Sequence, residues 1–98
     1  MREPNYEMLP EHMRDGMRLW VERGIEPGSF LEAVLCNDLK GACGRADHIN
    51  RHHLFDYVEF IYNEVPADCQ GSREKYIAWM ERGGMLGQHE DEALGKAV

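Results

Sequence analysis

An all-α fold, one compact bundle of four to five short helices, is what this sequence predicts, and three observations predict it. Apolar residues recur at helical spacing in several windows. No stretch shows the strict alternation that a half-buried strand needs. The chain has 98 residues, 43% of them hydrophobic and 30% charged, with two Trp, four Tyr and three Phe. That is enough for a single core and too little for two.

Residues 1–8 read as a flexible N-terminal arm, because Pro4 and Asn5 interrupt any periodicity. A helical domain is expected over 9–84. Its first helix should start near Leu9-Pro10-Glu11, since proline is preorganised for a first turn and an acid favours the positive end of the dipole. Met13, Met17, Trp20 and Val21 then share one face, and Gly24 ends the helix. Gly16 inside it points to close packing or a gentle bend. Ser29 and Glu32 have the spacing of a capping box, and Phe30, Leu31, Val34 and Leu35 form the buried stripe of a second helix. Asn37-Asp38 breaks the run and restarts a short helix carrying Leu39, Ala42, Cys43 and Ala46 on one face. Asp47 is the next N-cap. From it the longest periodic segment, residues 48–65, sets Asn50, Leu54, Tyr57, Val58, Ile61 and Val65 at helical spacing until Pro66. Ser72 caps a last helix through Tyr76, Ile77, Trp79 and Met80, closed by Gly83-Gly84. Residues 85–98 read as a frayed tail.

Composition also narrows the function. The apolar runs are too short for a membrane span, and the N-terminus lacks the apolar core of a signal peptide, so a cytoplasmic protein is expected. Three Cys without a C-x-x-C motif point to free thiols, Cys36 and Cys43 as small core residues and Cys69 in a loop. A net charge of −7 disfavours direct binding of DNA or RNA. That charge is uneven. Residues 40–53 hold three Lys and Arg against one Asp, a net of +2, which leaves −9 for the rest of the chain.

This basic island is the principal candidate site. Arg45 and Arg51, beside the helix start at Asp47, are suited to an anionic group such as a phosphate. Alternatively, Lys40, Arg45 and Arg51 pair with acids on neighbouring helices. Asn50 shares a stripe with Leu54 and Tyr57, and a polar side chain facing a core must find a partner in the fold or in a ligand. Asn37 and Asp38 in the interhelix turn, with Asn50 and an aromatic such as Tyr57 or Tyr62, form the expected reader of a base or ribose. Tyr57, Tyr62 and Trp20 serve equally as core. His48 and His52 stand at i, i+4, with His53 about 100° round the helix, but no third ligand completes a metal frame, and surface histidines are expected. No nucleophile–base or metal set emerges, so the chain reads as a non-enzyme without a cofactor. The Met13–Met17 face and the aromatic last helix predict an apolar surface that self-association covers, hence a homo-oligomer.

Leu9-Pro10-Glu11, residues 28–35 (Gly-Ser-Phe-Leu-Glu-Ala-Val-Leu), Asn37-Asp38-Leu39, residues 44–47 (Gly-Arg-Ala-Asp), residues 60–66 (Phe-Ile-Tyr-Asn-Glu-Val-Pro), Cys69 and Gly71-Ser72 together resemble a family of small bacteriophage-encoded proteins of about this length, with no assigned function. The resemblance spans residues 8–82; where an aromatic is expected after Cys69, this chain has Gln70. It implies an accessory protein made in an infected bacterial cell, acting by binding a host protein or a signalling nucleotide. Two expectations follow. The first is a counter-defence protein that sequesters a small anionic nucleotide-type ligand. The second is an acidic inhibitor that offers Glu22, Glu26, Glu59 and Glu74 to a basic host defence or nucleic-acid-processing protein.

Overall fold

The computed structural model describes residues 3–87. Five α-helices lie within them: α1 (Glu11–Arg23), α2 (Ser29–Leu35), α3 (Leu39–Arg45), α4 (Leu54–Asn63) and α5 (Arg73–Arg82). Short 3-10 turns occupy Tyr6–Met8, Asn50–His52 and Ala67–Cys69, and helical backbone resumes at 84–87. The all-α expectation holds, with no strand among the described residues and one helical segment more than four to five. None of these helices is long and apolar enough to cross a membrane.

Local signals explain most of the boundaries. α1 starts after Pro10 and ends on Gly24, whose φ of 65° lies in the left-handed region that costs glycine little. Ser72 Oγ accepts the Lys75 amide at the start of α5, and Gly83 ends that helix at φ 79°. The Ser29 capping box does not form: Gly28 is the N-cap, Ser29 is already helical, and Glu32 instead accepts a hydrogen bond from Arg73 at 3.0 Å.

The core is built on α2, which packs on α3, α4 and α5 and buries Phe30, Leu31, Ala33, Val34 and Leu35. Trp20 on α1 sits at its centre. Its ring stacks on Tyr76 with centroids 4.5 Å apart, and its indole N–H donates to the Cys69 carbonyl at 3.0 Å. Trp79 in turn donates to the Trp20 carbonyl at 2.9 Å, so both buried indoles are satisfied. Burying each such ring contributes about 1.5–3 kcal/mol.

Several expectations need correction. The arm is not loose at its inner end: Tyr6 is buried against Phe60, under the Arg18 guanidinium 4.4 Å away, and the Asn5 amide donates to Glu64. Of the frayed tail, residues 85–87 are helical, and residues 88–98 lie outside the described residues. The single helix expected over 48–65 is two pieces, because the Asp47 side chain takes the amides of Ile49 and Asn50 and holds a turn there. The Met13–Met17 face is not exposed: Met17 is fully buried and Met13 packs against the core. Tyr76 and Trp79 of α5 are buried as well.

Candidate functional site

The most exposed apolar residues lie elsewhere, on α3 and α4. Phe55, Val58 and Tyr62 follow one another at i, i+3 and i+7 along α4, and Leu39 faces the same opening from α3; all four are more than half exposed. At their base a cleft of about 270 Å³ opens between α2, α3, α4 and the Gln70-Gly71 loop. Val34, Leu54 and Ile61 contribute to its apolar lining.

Local chemistry sets its polar edge. Asn37 adopts φ 63°, a left-handed conformation that asparagine tolerates well, and so turns the chain from α2 into α3. Asp38 then caps α3, its Oδ1 accepting the Gly41 amide at 2.9 Å. The Gly71 amide donates to the Leu35 carbonyl at 2.8 Å, which ties the loop carrying Gln70 to the end of α2. Asn37, Asp38, Tyr62 and Gln70 thereby share one cleft. Asp38 is its sole charged lining residue, so the cleft suits a flat, largely apolar group bearing hydrogen-bond donors.

Of the eight residues expected at the site, Asn37, Asp38 and Tyr62 meet in this cleft. Asp47, Asn50 and Tyr57 do not line it. Asn50 is 2% exposed, and its Oδ1 accepts the Tyr57 hydroxyl at 2.6 Å; burial pushes that hydroxyl up from its ordinary pKa. This pair satisfies itself within the fold and positions α4. Asp47 is held below the usual carboxylate range by the Asn50 amide, then by His12, whose Nε2 lies 3.1 Å away, and by the Ile49 amide. Arg45 and Arg51 are exposed beside the cleft in sequence but outside its lining. Arg45 donates to the Ser29 carbonyl at 3.3 Å. Among the described residues, no carboxylate forms an ion pair with Lys40, Arg45 or Arg51. The island's cations are therefore not consumed by neighbouring acids.

Gln70, Leu39 and Val58 were not expected at the site. Gln70 carried a signal, as the residue standing where an aromatic is expected. Val58 carried none, because it falls on the same helical stripe as the buried Tyr57 and Ile61.

The thiols also depart from expectation. Cys69 is fully buried, and burial pushes its pKa up to about 12, so reactivity does not reside there. Cys43 is exposed because the two-turn α3 turns Ala42 inward; Cys36 is half-buried against the core. His48 and His52 lie outside α-helix, on the surface, and no three His, Cys, Asp or Glu side chains among the described residues are grouped for a metal ion. Of the acids considered for a protein partner, Glu22 is engaged by Arg18 and Glu26 by the Tyr76 hydroxyl. Comparison with protein-family models, with curated proteins and with solved structures gave no match.

Proposed function

We propose that this chain is a non-enzymatic binding protein that sequesters a small anionic nucleotide-type ligand, as a phage accessory protein countering defence in the cytoplasm of an infected bacterium. The observation that carries this reading is the cleft. Asn37, Asp38, Gln70 and an exposed tyrosine ring surround an apolar floor, and Lys40 follows the rim residue Leu39 directly. A base enters the cleft. Its phosphate stays outside, toward the segment of Lys40, Arg45 and Arg51, which form no ion pair with a carboxylate among the described residues. The volume lies just under the roughly 300–1,000 Å³ of pockets for drug-sized molecules, so it takes one base rather than a whole dinucleotide.

A homo-oligomer belongs to the same reading. A second copy laid on Phe55, Val58, Tyr62 and Leu39 removes an apolar stripe from water and closes the open side of the cleft. Isothermal titration of the full chain with cyclic and linear nucleotides tests the function. Heat with at least one nucleotide, weakened about tenfold or more by Arg45→Ala, is expected. Silence across the whole panel contradicts it.

A further inference from the structure

The chemistry of the cleft narrows the ligand further, an inference that rests on the nucleotide-binding reading above. The charged acceptor in the lining is the Asp38 carboxylate, held on one oxygen by the Gly41 amide. Oδ1 caps α3 through the Gly41 amide and keeps a second lone pair; Oδ2 has no hydrogen-bond partner among the described residues. Its placement depends on the absence of a side chain at residue 41, where an added Cβ would lie 2.2 Å from Oδ2. Asn37 and Gln70 make no side-chain hydrogen bond among the described residues, and an amide presents either a donor or an acceptor.

Two adjacent acceptors select the base by its edge. Guanine presents two neighbouring donors, N1–H and the N2 amino group. Adenine sets an N1 lone pair beside its N6 amino group, and cytosine sets an N3 lone pair beside its N4 amino group. Uracil flanks its N3–H with two carbonyl oxygens. Each of these turns at least one lone pair toward the exposed Asp38 carboxylate, and two facing acceptors repel where guanine forms two hydrogen bonds. We infer that the α2–α3–α4 cleft is a guanine-selective pocket: Asp38 accepts from N1–H and N2–H, Asn37 or Gln70 reaches O6 or N7, and the ring lies on the apolar wall beside Tyr62. The two bonds to the carboxylate are charge-assisted, which makes them the strongest polar contacts available to a base here.

Titration of the full chain with 5′-GMP, 5′-IMP and 5′-AMP tests this, because inosine retains N1–H and lacks only the N2 amine. GMP is expected to bind at least tenfold more tightly than AMP, with IMP between them. Asp38→Asn, and Gly41→Ala, which displaces the carboxylate without removing its charge, should bring the GMP-to-AMP ratio close to one; circular dichroism checks that both variants fold. Nucleotides that bind with no preference for GMP, or a preference that both folded variants retain, overturn the guanine assignment and leave the nucleotide reading standing. Silence with every nucleotide overturns both. If neither variant folds, the order of GMP, IMP and AMP on the unaltered chain decides.

Discussion

At single residues, the polar groups within the helical stripes divide into those that build the molecule and those that face outward. Asn50 and Tyr57 belong to the first kind. Tyr57→Phe removes the donor to Asn50 Oδ1 and leaves a buried acceptor alone, so a loss of about 1–3 kcal/mol is expected in urea unfolding. An unchanged midpoint would show that the Asn50 carbonyl finds another donor. Asp47 builds as well, and its lowered pKa fixes a sign. A carboxyl whose folded value lies below its unfolded value of 3.8 contributes stability that is complete above the unfolded value and is lost as pH falls through the folded one. Asp47→Asn should therefore lose less stability than the unaltered chain as pH falls below the ordinary carboxylate range. Equal slopes for the two in acid unfolding would remove the residue from this role. Asn37 and Gln70 are of the second kind, and Asp38 is of both, capping α3 through Oδ1 while it lines the cleft.

Along the helices, legibility followed locality. The start of α1 after Pro10 and its end at Gly24, the Ser72 cap and the Gly83 stop were legible, because each depends on one residue's backbone preference or one short side chain. The break between residues 50 and 54 was not. Asn50, Leu54 and Tyr57 keep helical spacing across it, and only the competition of Asp47 for two backbone amides shows why the ladder stops. The cleft was legible only in part, three of the eight expected residues, for a related reason. Asn37-Asp38 announces a turn, whereas the apolar stripe of α4 does not say that Tyr57 and Ile61 turn inward while Val58 and Tyr62 line an opening. Gly16 tests the account of α1. An added Cβ there meets only Leu31 Cδ1 at 3.9 Å, an ordinary contact. Gly16→Ala should therefore stabilise by about 0.4–1 kcal/mol and raise Tm by several degrees. A fall in Tm would reveal packing tighter than these distances.

Across the molecule, charge and apolar surface are segregated in a way that composition alone concealed. Met17, Tyr76 and Trp79 of the face expected from Met13, Met17 and α5 are inside the core, and the apolar residues more than half exposed, Leu39, Phe55, Val58 and Tyr62, lie on α3 and α4. Leu39, Val58 and Tyr62 line the cleft, and the segment in which positive charge outweighs negative follows Leu39 directly. A binding role at this place is the central claim, and it locates the ligand as well as naming its class. Amide chemical-shift mapping of the full chain with added 5′-GMP tests it most directly. The account predicts that shifts concentrate at Asn37, Asp38, Val58, Tyr62 and Gln70, with smaller ones at Lys40 and Arg45. Shifts centred on Glu3, Glu22 and Glu64, or none at saturating nucleotide, would contradict it.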